Sequence, residues 1–559
     1  MNIPFLKYTL FIGSFCLSAS AIAQDKKDEN KQESPTGTLT EEIEIVRPYK
    51  PVLADAVKIR RNPDMTNNKS FKPVLTYTIL DKKLELNSNI KELQAQKMMD
   101  EQQAILKSNY VKVGTGNFNT ALGEVYVNTG QDEALQAGAF FKHISQQGSL
   151  NKQQFSNQEL GAFGRAIGSK STLSGKIAYD RKSTFFYGFN PALSAAPPAA
   201  DPDKQRFSTI SAEGELLSSY LENSVFDYAA SLKAYNISNI ADARESSVLL
   251  AGHLNQEISS FNLGVNASVD LTSVKDSAYR IGNNILRANP YIMFGTRGFS
   301  LKLGANIVQE FGAASRLNIF PAVSAEFPVA TNVAIMFAGV EGDVLKTSLR
   351  DLASKNPFLN QNIPIKNSVE KMNIYAGLKG NTGAEFGYKF MAFYKTVEDM
   401  QLFVNNPLDF KRFDVIYDEG SSNILGLDGE VNVKASDIIS LTGKVHILNY
   451  ELATEQEAWF KPTLRLVSNA KAQMSQKISL DAELLFQSKT FGRVADPVKG
   501  FAAYELGSFL DFSAGAEYRV NNKIGVYIRG NNLFGQYYQQ YLHYDKLGLN
   551  VFGGLNYSF

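Results

Sequence analysis

The chain ends "KLGLNVFGGLNYSF" (residues 546–559). Counting back by two from Phe559 gives Tyr557, Leu555, Gly553, Val551, Leu549 and Leu547. The other face carries Ser558, Asn556, Gly554, Phe552, Asn550, Gly548 and Lys546. A period of two with unlike faces is the mark of a strand with a different environment on each side. Here one side is apolar and ends on an aromatic ring.

The same texture fills the chain back to Asn109. At 173–180, Leu173, Gly175, Ile177 and Tyr179 oppose Ser174, Lys176, Ala178 and Asp180. At 226–235, Phe226, Tyr228, Ala230, Leu232 and Ala234 oppose Asp227, Ala229, Ser231, Lys233 and Tyr235. At 299–307, Phe299, Leu301, Leu303, Ala305 and Ile307 oppose Ser300, Lys302, Gly304 and Asn306. A soluble sandwich turns its polar face to water, whereas a membrane barrel turns its apolar face to lipid. Alternation does not separate these two, but connection lengths do. Short polar turns fall at 128–132, 168–171, 295–298, 330–332, 380–383, 434–437, 475–477 and 521–523. Longer connections fall at 145–158, 188–206, 344–368, 451–460, 490–500 and 535–545. A long or variable connection after each odd strand and a short turn after each even one is self-consistent from 109 to 559. This predicts an all-β fold: a transmembrane antiparallel β-barrel of about 22 strands (20–24), both ends on one rim. Residues 333–340 alternate poorly, and 408–434 reads as one long strand. In lipid every backbone N–H and C=O must be paired, and closure of the sheet achieves that.

The other end of the chain gives an address. Lys7, the apolar run Tyr8–Leu17 and the small-residue site Ala21-Ile22-Ala23 form a secretory signal peptide over 1–23. Phe15 before Cys16 argues against a lipoprotein. Cys16, the only cysteine, leaves with the leader, so neither disulfides nor cysteine metal sites are expected. The leader removes one lysine and no acid, leaving basic residues balanced against 56 acidic ones. Such balance gives no long-range field for nucleic acid. No run approaches the roughly 18 consecutive apolar residues of a membrane helix, and mean hydropathy is −0.19. Aromatics at 11%, with 37 Phe and 25 Tyr, suit strands.

Between leader and barrel lie two segments. Residues 24–40 are polar and charged, and read as a disordered spacer. Residues 41–108 read as a periplasmic or reduced-plug segment. It contains the echo "YKPVL" (49–53) and "FKPVL" (71–75), whose prolines favour extended backbone. It also holds one helix candidate, 88–107, capped by Ser88.

Chemistry is sparse. His143, His253, His446 and His543 have no metal-ligand spacing and read as lumen or loop residues. Metalloprotease, nucleophile-elbow and phosphate-loop motifs are lacking. No enzyme, cofactor or metal is expected. The acidic stretches 341–343 and 418–420 read as solvated turns rather than Ca²⁺ loops. Trp459 and Phe460 read as an interfacial girdle rather than a substrate platform.

Two resemblances add to this. Phe559, Tyr557, Leu555, Val551 and Leu549 resemble the terminal signal that outer-membrane barrel assembly machinery reads. Its physical basis is addition of a strand to an open sheet edge. The stretch "YIRGNNLFGQYYQQYLHY" (527–544) resembles the end of TonB-dependent receptors: Asn532, Leu533 and Phe534 after the penultimate strand, then Tyr537, Tyr538 and Tyr541, then Phe559. The likeness covers about 450 residues in architecture and the last thirty or so in motif. It implies a 22-stranded barrel in the cell outer membrane, with uptake driven through TonB. Receptors of this family carry a folded plug, but only about fifty residues separate Ile59 from Asn109. "VRPYKPVLADAVKI" (46–59) and "FFKHISQQG" (140–148) resemble a plug-poor branch. Glu42, Ile43, Glu44, Ile45 and Val46 match the texture of the family's partner-binding peptide, which pairs as a strand until Pro48 and Pro51 end the ladder. The implied function is an outer-membrane transporter of an unidentified substrate. A scaffold barrel docking another periplasmic or outer-membrane protein, and a passive porin, are the alternatives. Outer-membrane lipid is the expected surrounding.

Overall fold

In the computed structural model, residues 109–559 are described apart from 130–133, 189–201, 219–225, 297, 331–332, 384, 497 and 499. The leader, the spacer, the 41–108 segment and its helix candidate lie outside the described residues. The tail of the chain forms the strand Asn550–Ser558, hydrogen-bonded to Ile524–Asn531 on one side. On its other side it pairs with Tyr110–Gly116, the first strand described. That second pairing closes a 22-stranded antiparallel sheet into a barrel. Strand number, parity and the common rim for both ends are as the connection pattern predicts.

Side chains are distributed inside-out relative to a soluble protein. Leu173, Ile177, Ile210, Leu317, Ile319, Val329 and Leu555 are exposed, Ile319 by 66%. Lys112, Asp270, Lys302, Glu310 and Glu517 are buried. Water would penalise a continuous apolar band of this extent, whereas lipid is its natural partner. The inward charges are largely paired across the wall. Lys379 meets Glu326 at 2.7 Å, Arg287 meets Asp343 at 3.0 Å and Lys395 meets Glu370 at 3.2 Å.

The wall is uneven. The closing strands have 7 and 9 residues, close to the roughly 9–11 needed to cross a bilayer. Phe386–Asn405 and Phe413–Lys434 have 20 and 22. This pair stands far above the apolar band on the long-loop rim, and a register shift between Glu398 and Met400 bends it.

Some expectations are corrected. The connection expected at 145–158 is mostly strand, because Leu135–Gln147 and Gln154–Ile167 extend into it. The poorly alternating stretch belongs to the strand Ala334–Leu345. Glu341 and Asp343 therefore line the lumen rather than a solvated turn. Two of the long connections carry hairpins of their own, Thr490–Asp496 with Gly500–Leu506 and Gln539–Tyr541 with Tyr544–Asp545.

Candidate functional site

The long connections fold over the mouth and share one apolar core. The segment 346–367 joins Ala334–Leu345 to Ser368–Thr382 and contains the helix Leu349–Lys355. Ser348 caps it, accepting from the Asp351 N–H at 3.0 Å. Asp351 and Lys355 sit in its first and last turns, complementing the backbone dipole. Leu349, Leu352 and Ala353 form its buried face. Phe358, Leu359, Ile363 and Ile365 continue that face toward Phe186, Phe403, Phe413, Tyr541 and Tyr544.

This core spans the mouth because its members come from opposite walls. Phe186 and Tyr187 follow the fifth wall strand, Ser171–Phe185. Lys411 and Arg412 lie between the fifteenth and sixteenth, about half the circumference away. Arg412 nonetheless lies 4.3 Å over the Phe186 ring and pairs with Asp203 at 2.8 Å. Tyr544, from the last connection, stacks on Phe358 at 3.6 Å and meets Tyr187 edge-on at 4.9 Å. Its hydroxyl donates to the Lys411 carbonyl. Loops rooted half a circle apart can touch only by crossing the opening.

Polar contacts pin this cap to the wall. Glu245 is fully buried and accepts from the Tyr235 hydroxyl at 2.7 Å and the Leu349 N–H at 2.7 Å. Burial pushes its carboxyl up, and those hydrogen bonds oppose the rise. The backbones of Phe358 and Asn360 bond to that of Phe413, at 2.9 and 2.8 Å, laying 358–360 along the tall hairpin.

A second cluster covers the other face of that hairpin. Trp459 is buried among Val397, Met400, Leu402 and Val404, and its indole N–H donates to Glu455 at 2.7 Å. Arg493 binds Glu455 at 3.1 Å and lies over Phe501. Trp459 is therefore a core residue of the loop assembly and not part of a girdle. Phe460 likewise packs on Phe413 and Tyr541.

Asp418, expected in a solvated turn, is fully buried in Phe413–Lys434. It accepts from Ser422 Oγ, from the N–H groups of Ala453, Thr454 and Glu455, and from Thr454 Oγ, at 2.5 to 2.8 Å. Burial alone would raise its pKa, but these donors outweigh it and hold the carboxyl at about 2, below its usual 3.8. A depressed carboxyl contributes stability that is present above its unfolded pKa and lost as pH falls through about 2. The shift corresponds to about 2 kcal/mol. Asp418→Ala is expected to release the 452–463 loop at neutral pH. The readouts are a red-shifted emission from Trp459, the sole tryptophan, and faster amide exchange at 453–455. In the unaltered protein the same loosening should begin only below pH 4.

The residues singled out in the sequence are dispersed. Glu42, Ile43, Glu44, Ile45 and Val46 lie outside the described residues. Leu549, Leu555, Tyr557 and Phe559 are exposed on the outward face and Val551 half-buried on it. Inward, Phe552 is buried, Asn556 donates to Glu517 at 2.7 Å, and Asn550 donates to Asn117 at 2.8 Å. Asn532 adopts φ 48° and donates to the Gln536 and Leu547 carbonyls, setting the turn into the last connection. His253 and His446 line the lumen, beside Asn266 and Asp428, and His543 is in a loop. His143 instead shares the outward row with Phe141 on Leu135–Gln147. Among the described residues no group of side chains has metal-site geometry. Tyr541 and Tyr544 carry the cap, yet in the sequence they are only two aromatics in a tyrosine-rich loop.

No family model matches the chain, and no curated protein matches its sequence. Solved structures do. The pyoverdine outer membrane receptor FpvA from Pseudomonas aeruginosa PAO1 superposes with a TM-score of 0.62 at 11% identity, covering 81% of this chain and 78% of that one. The FrpB iron transporter from Neisseria meningitidis gives 0.62 at 11%, covering 84% and 83%. The ferric-catecholate import receptor Fiu from E. coli K12 gives 0.61 at 11%, covering 81% and 82%. The chain has the TonB-dependent receptor fold. At this identity the likeness is one of backbone. The receptor fold accounts for the strand number and for the long-loop rim, while the cap is built from this chain's own residues.

Proposed function

We propose that the protein is an outer-membrane transporter of the TonB-dependent receptor type, with the long-loop rim facing outward and the short-turn rim facing the periplasm. The observation that carries this reading is the loop core that spans the mouth. Loops from opposite walls interlock through a buried aromatic core, so a bulky solute entering along the barrel axis must part them. A passive porin needs a standing opening, and the cap argues against one. The structural neighbours are named as receptors and transporters, and the reading needs no catalytic step. Residues 1–23 serve as signal peptide and 24–40 as spacer. The 41–108 segment serves as reduced plug or partner-docking element, and Glu42–Val46 pairs with TonB. The apolar face ending at Phe559 serves as the assembly signal.

Deleting residues 41–50 tests this. Uptake should be lost while the barrel still assembles and remains folded, and loss of the inner-membrane energy complex should do the same. If the deletion spares uptake but releases a partner that otherwise co-purifies in mild detergent, the scaffold alternative replaces the transport reading.

A further inference from the structure

Below the strap formed by residues 346–367, the inner wall of the barrel holds a recess that arises from side-chain size. In the strands Phe226–Asn239, Arg244–Ile258 and Phe261–Lys275, the residues Ser231, Ala251 and Ser268 are neighbours across the ladder. They share the inward alternation of the buried Ser247, Asp270 and Thr272, whereas Leu232, Leu250 and Leu254 on the opposite face are exposed. Three small residues side by side leave the wall thin, and larger inward residues stand around them. Glu215 is in register with Ser231 on one side, and Arg287 with Ser268 on the other. His253, Asn266 and Asn289 form the adjoining inward row, also in register with one another. All of them line one cavity of about 180 Å³, room for a solute rather than for a single water.

The polar groups of this recess are of one kind. His253 Nδ1 lies 2.6 Å from Asn266 Oδ1, the Asn266 amide donates to Asn289 Oδ1 at 3.2 Å, and the Asn289 amide donates to Asn306 Oδ1 at 2.5 Å. This chain orients the amides across four strands. An amide has two N–H donors and two acceptor sites, so the capacity of Asn266 is not exhausted by it. The hydroxyls of Ser231 and Ser268 and the carboxylate of Glu215 make no side-chain hydrogen bond among the described residues, and all three are half-buried. Arg287 is engaged by Asp343 at 3.0 Å and by the Val344 carbonyl at 2.6 Å, and no other lysine or arginine lines the cavity. An oxyanion would therefore meet Glu215 with no free cation to hold it. A metal ion would find no group of three ligating side chains among the described residues. An apolar solute would leave the hydroxyls and amides unpaired. A hydroxyl group donates and accepts at once, as serine and asparagine side chains do, and a carboxylate accepts strongly from it.

We propose that the recess over Ser231, Ala251 and Ser268, walled by Glu215, His253 and Asn266, binds a neutral, hydroxyl-rich solute: a polyol or a sugar unit. The site lies on the lumen wall below the cap. Asp270, one inward position nearer the mouth than Ser268, pairs with Lys346 at the start of the strap. Arg287 binds Asp343 and Val344 on the strand that leads into it. A solute in the recess thus touches the strands that anchor the strap, and a route to it from the long-loop rim passes the cap. The site rests on the transport reading in one respect, that the bound solute is one the barrel carries.

The test is calorimetric titration of the full chain with maltotriose and with sorbitol, whose open chain can adjust its hydroxyls to the site. The protein is held in lauryldimethylamine oxide, a detergent without a sugar headgroup. Saturable binding of at least one probe is expected. Ser231→Ala with Ser268→Ala removes two hydroxyls at nearly constant volume and should weaken binding about tenfold. Ala251→Phe fills the recess and should abolish binding in preparations that keep the folded band on unboiled gels. A variant with residues 348–366 replaced by two glycines gives access from above; binding by that variant alone supports the site and makes the cap its barrier. No saturable binding of either probe, by the unaltered protein or by that variant, overturns the proposal. Binding indifferent to both the alanine pair and Ala251→Phe overturns it as well. Saturable binding of pyrophosphate in place of both probes would overturn the ligand class. The assay needs no energy source. Binding without uptake of the probe therefore counts against the transport reading alone, and uptake that survives Ala251→Phe counts against the site alone.

Discussion

Gly554→Val is expected to prevent the barrel from closing. Gly554 lies directly opposite Gly114 across the seam where the last strand meets the first. A Cβ at 554 would overlap the Val113 carbonyl oxygen and approach the Gly114 Cα at 2.6 Å, and these are backbone atoms that cannot rotate away. The inner side is equally filled. The Tyr527 hydroxyl donates to the Val113 carbonyl at 3.2 Å and occupies the space beside Gly114. Overpacking costs about 1–3 kcal/mol even where side chains can yield, and here the strand itself would have to shift. The seam has little to spare, because its register is only seven residue pairs long, Tyr110↔Ser558 to Gly116↔Phe552. An open seam leaves two unpaired edges in lipid, which no other element can satisfy. The expected result is loss of the heat-modifiable folded band on gels of unboiled outer membranes, with degradation of the chain. Gly553→Ala is a poor control, since its added Cβ meets the Tyr527 carbonyl at 2.7 Å. Gly123→Ala serves better, because nothing lies within 4 Å of the atom it would add, and it should assemble normally. Full assembly of Gly554→Val would show that the first and last strands do not form the seam as described.

The seam also shows what could be read from the chain alone. A strand's two faces are written in alternate residues, so the row Leu549 to Phe559 discloses its environment without any knowledge of what it pairs with. Connection lengths add parity, and parity adds closure. The loops carry no such code. Their residues meet partners hundreds of positions away, as Tyr187 meets Tyr544 and Tyr541 meets Lys355. Trp459 reads as a girdle residue for the same reason. A lone tryptophan at a loop end suits the membrane interface on average, but the tall hairpin of residues 386–434 offers it Leu402 and Val404 instead. The sequence "DEG" reads as a turn, whereas Asp418 still pairs with Met400 in the ladder and the register shift falls just beyond it. Loops carry function more often than the scaffold that holds them, so the part hardest to read is the part on which a function would depend.

Replacing residues 348–366 by two glycines is expected to turn a silent barrel into a conducting one. The strap's ends make this a clean operation: Leu345 and Ser368 are register partners in adjacent antiparallel strands, and the Thr347 N–H already donates to Asn367 Oδ1 at 3.0 Å. A turn of a few residues can join such ends, so the wall need not change. What is lost is the middle of the cap: Leu349, Leu352, Ala353, Phe358, Leu359, Ile363 and Ile365 leave the aromatic core. Burial of an apolar side chain is worth about 1.5–3 kcal/mol, so the contacts that remain across the opening, Arg412 with Phe186 and Asp203 and Tyr544 with Tyr187 and Lys411, lose the core that supports them. Glu245 loses its donors from Leu349 and Arg350 but lies at the rim, where water can replace them. A 22-stranded barrel encloses a lumen wide enough for ions and small solutes. In planar bilayers the unaltered protein should therefore show no steps, and the strap variant should show discrete openings at once, without any energy source. Persistent silence in a folded strap variant would place the barrier below the cap. That outcome would make the cap a ligand-gathering surface rather than the gate.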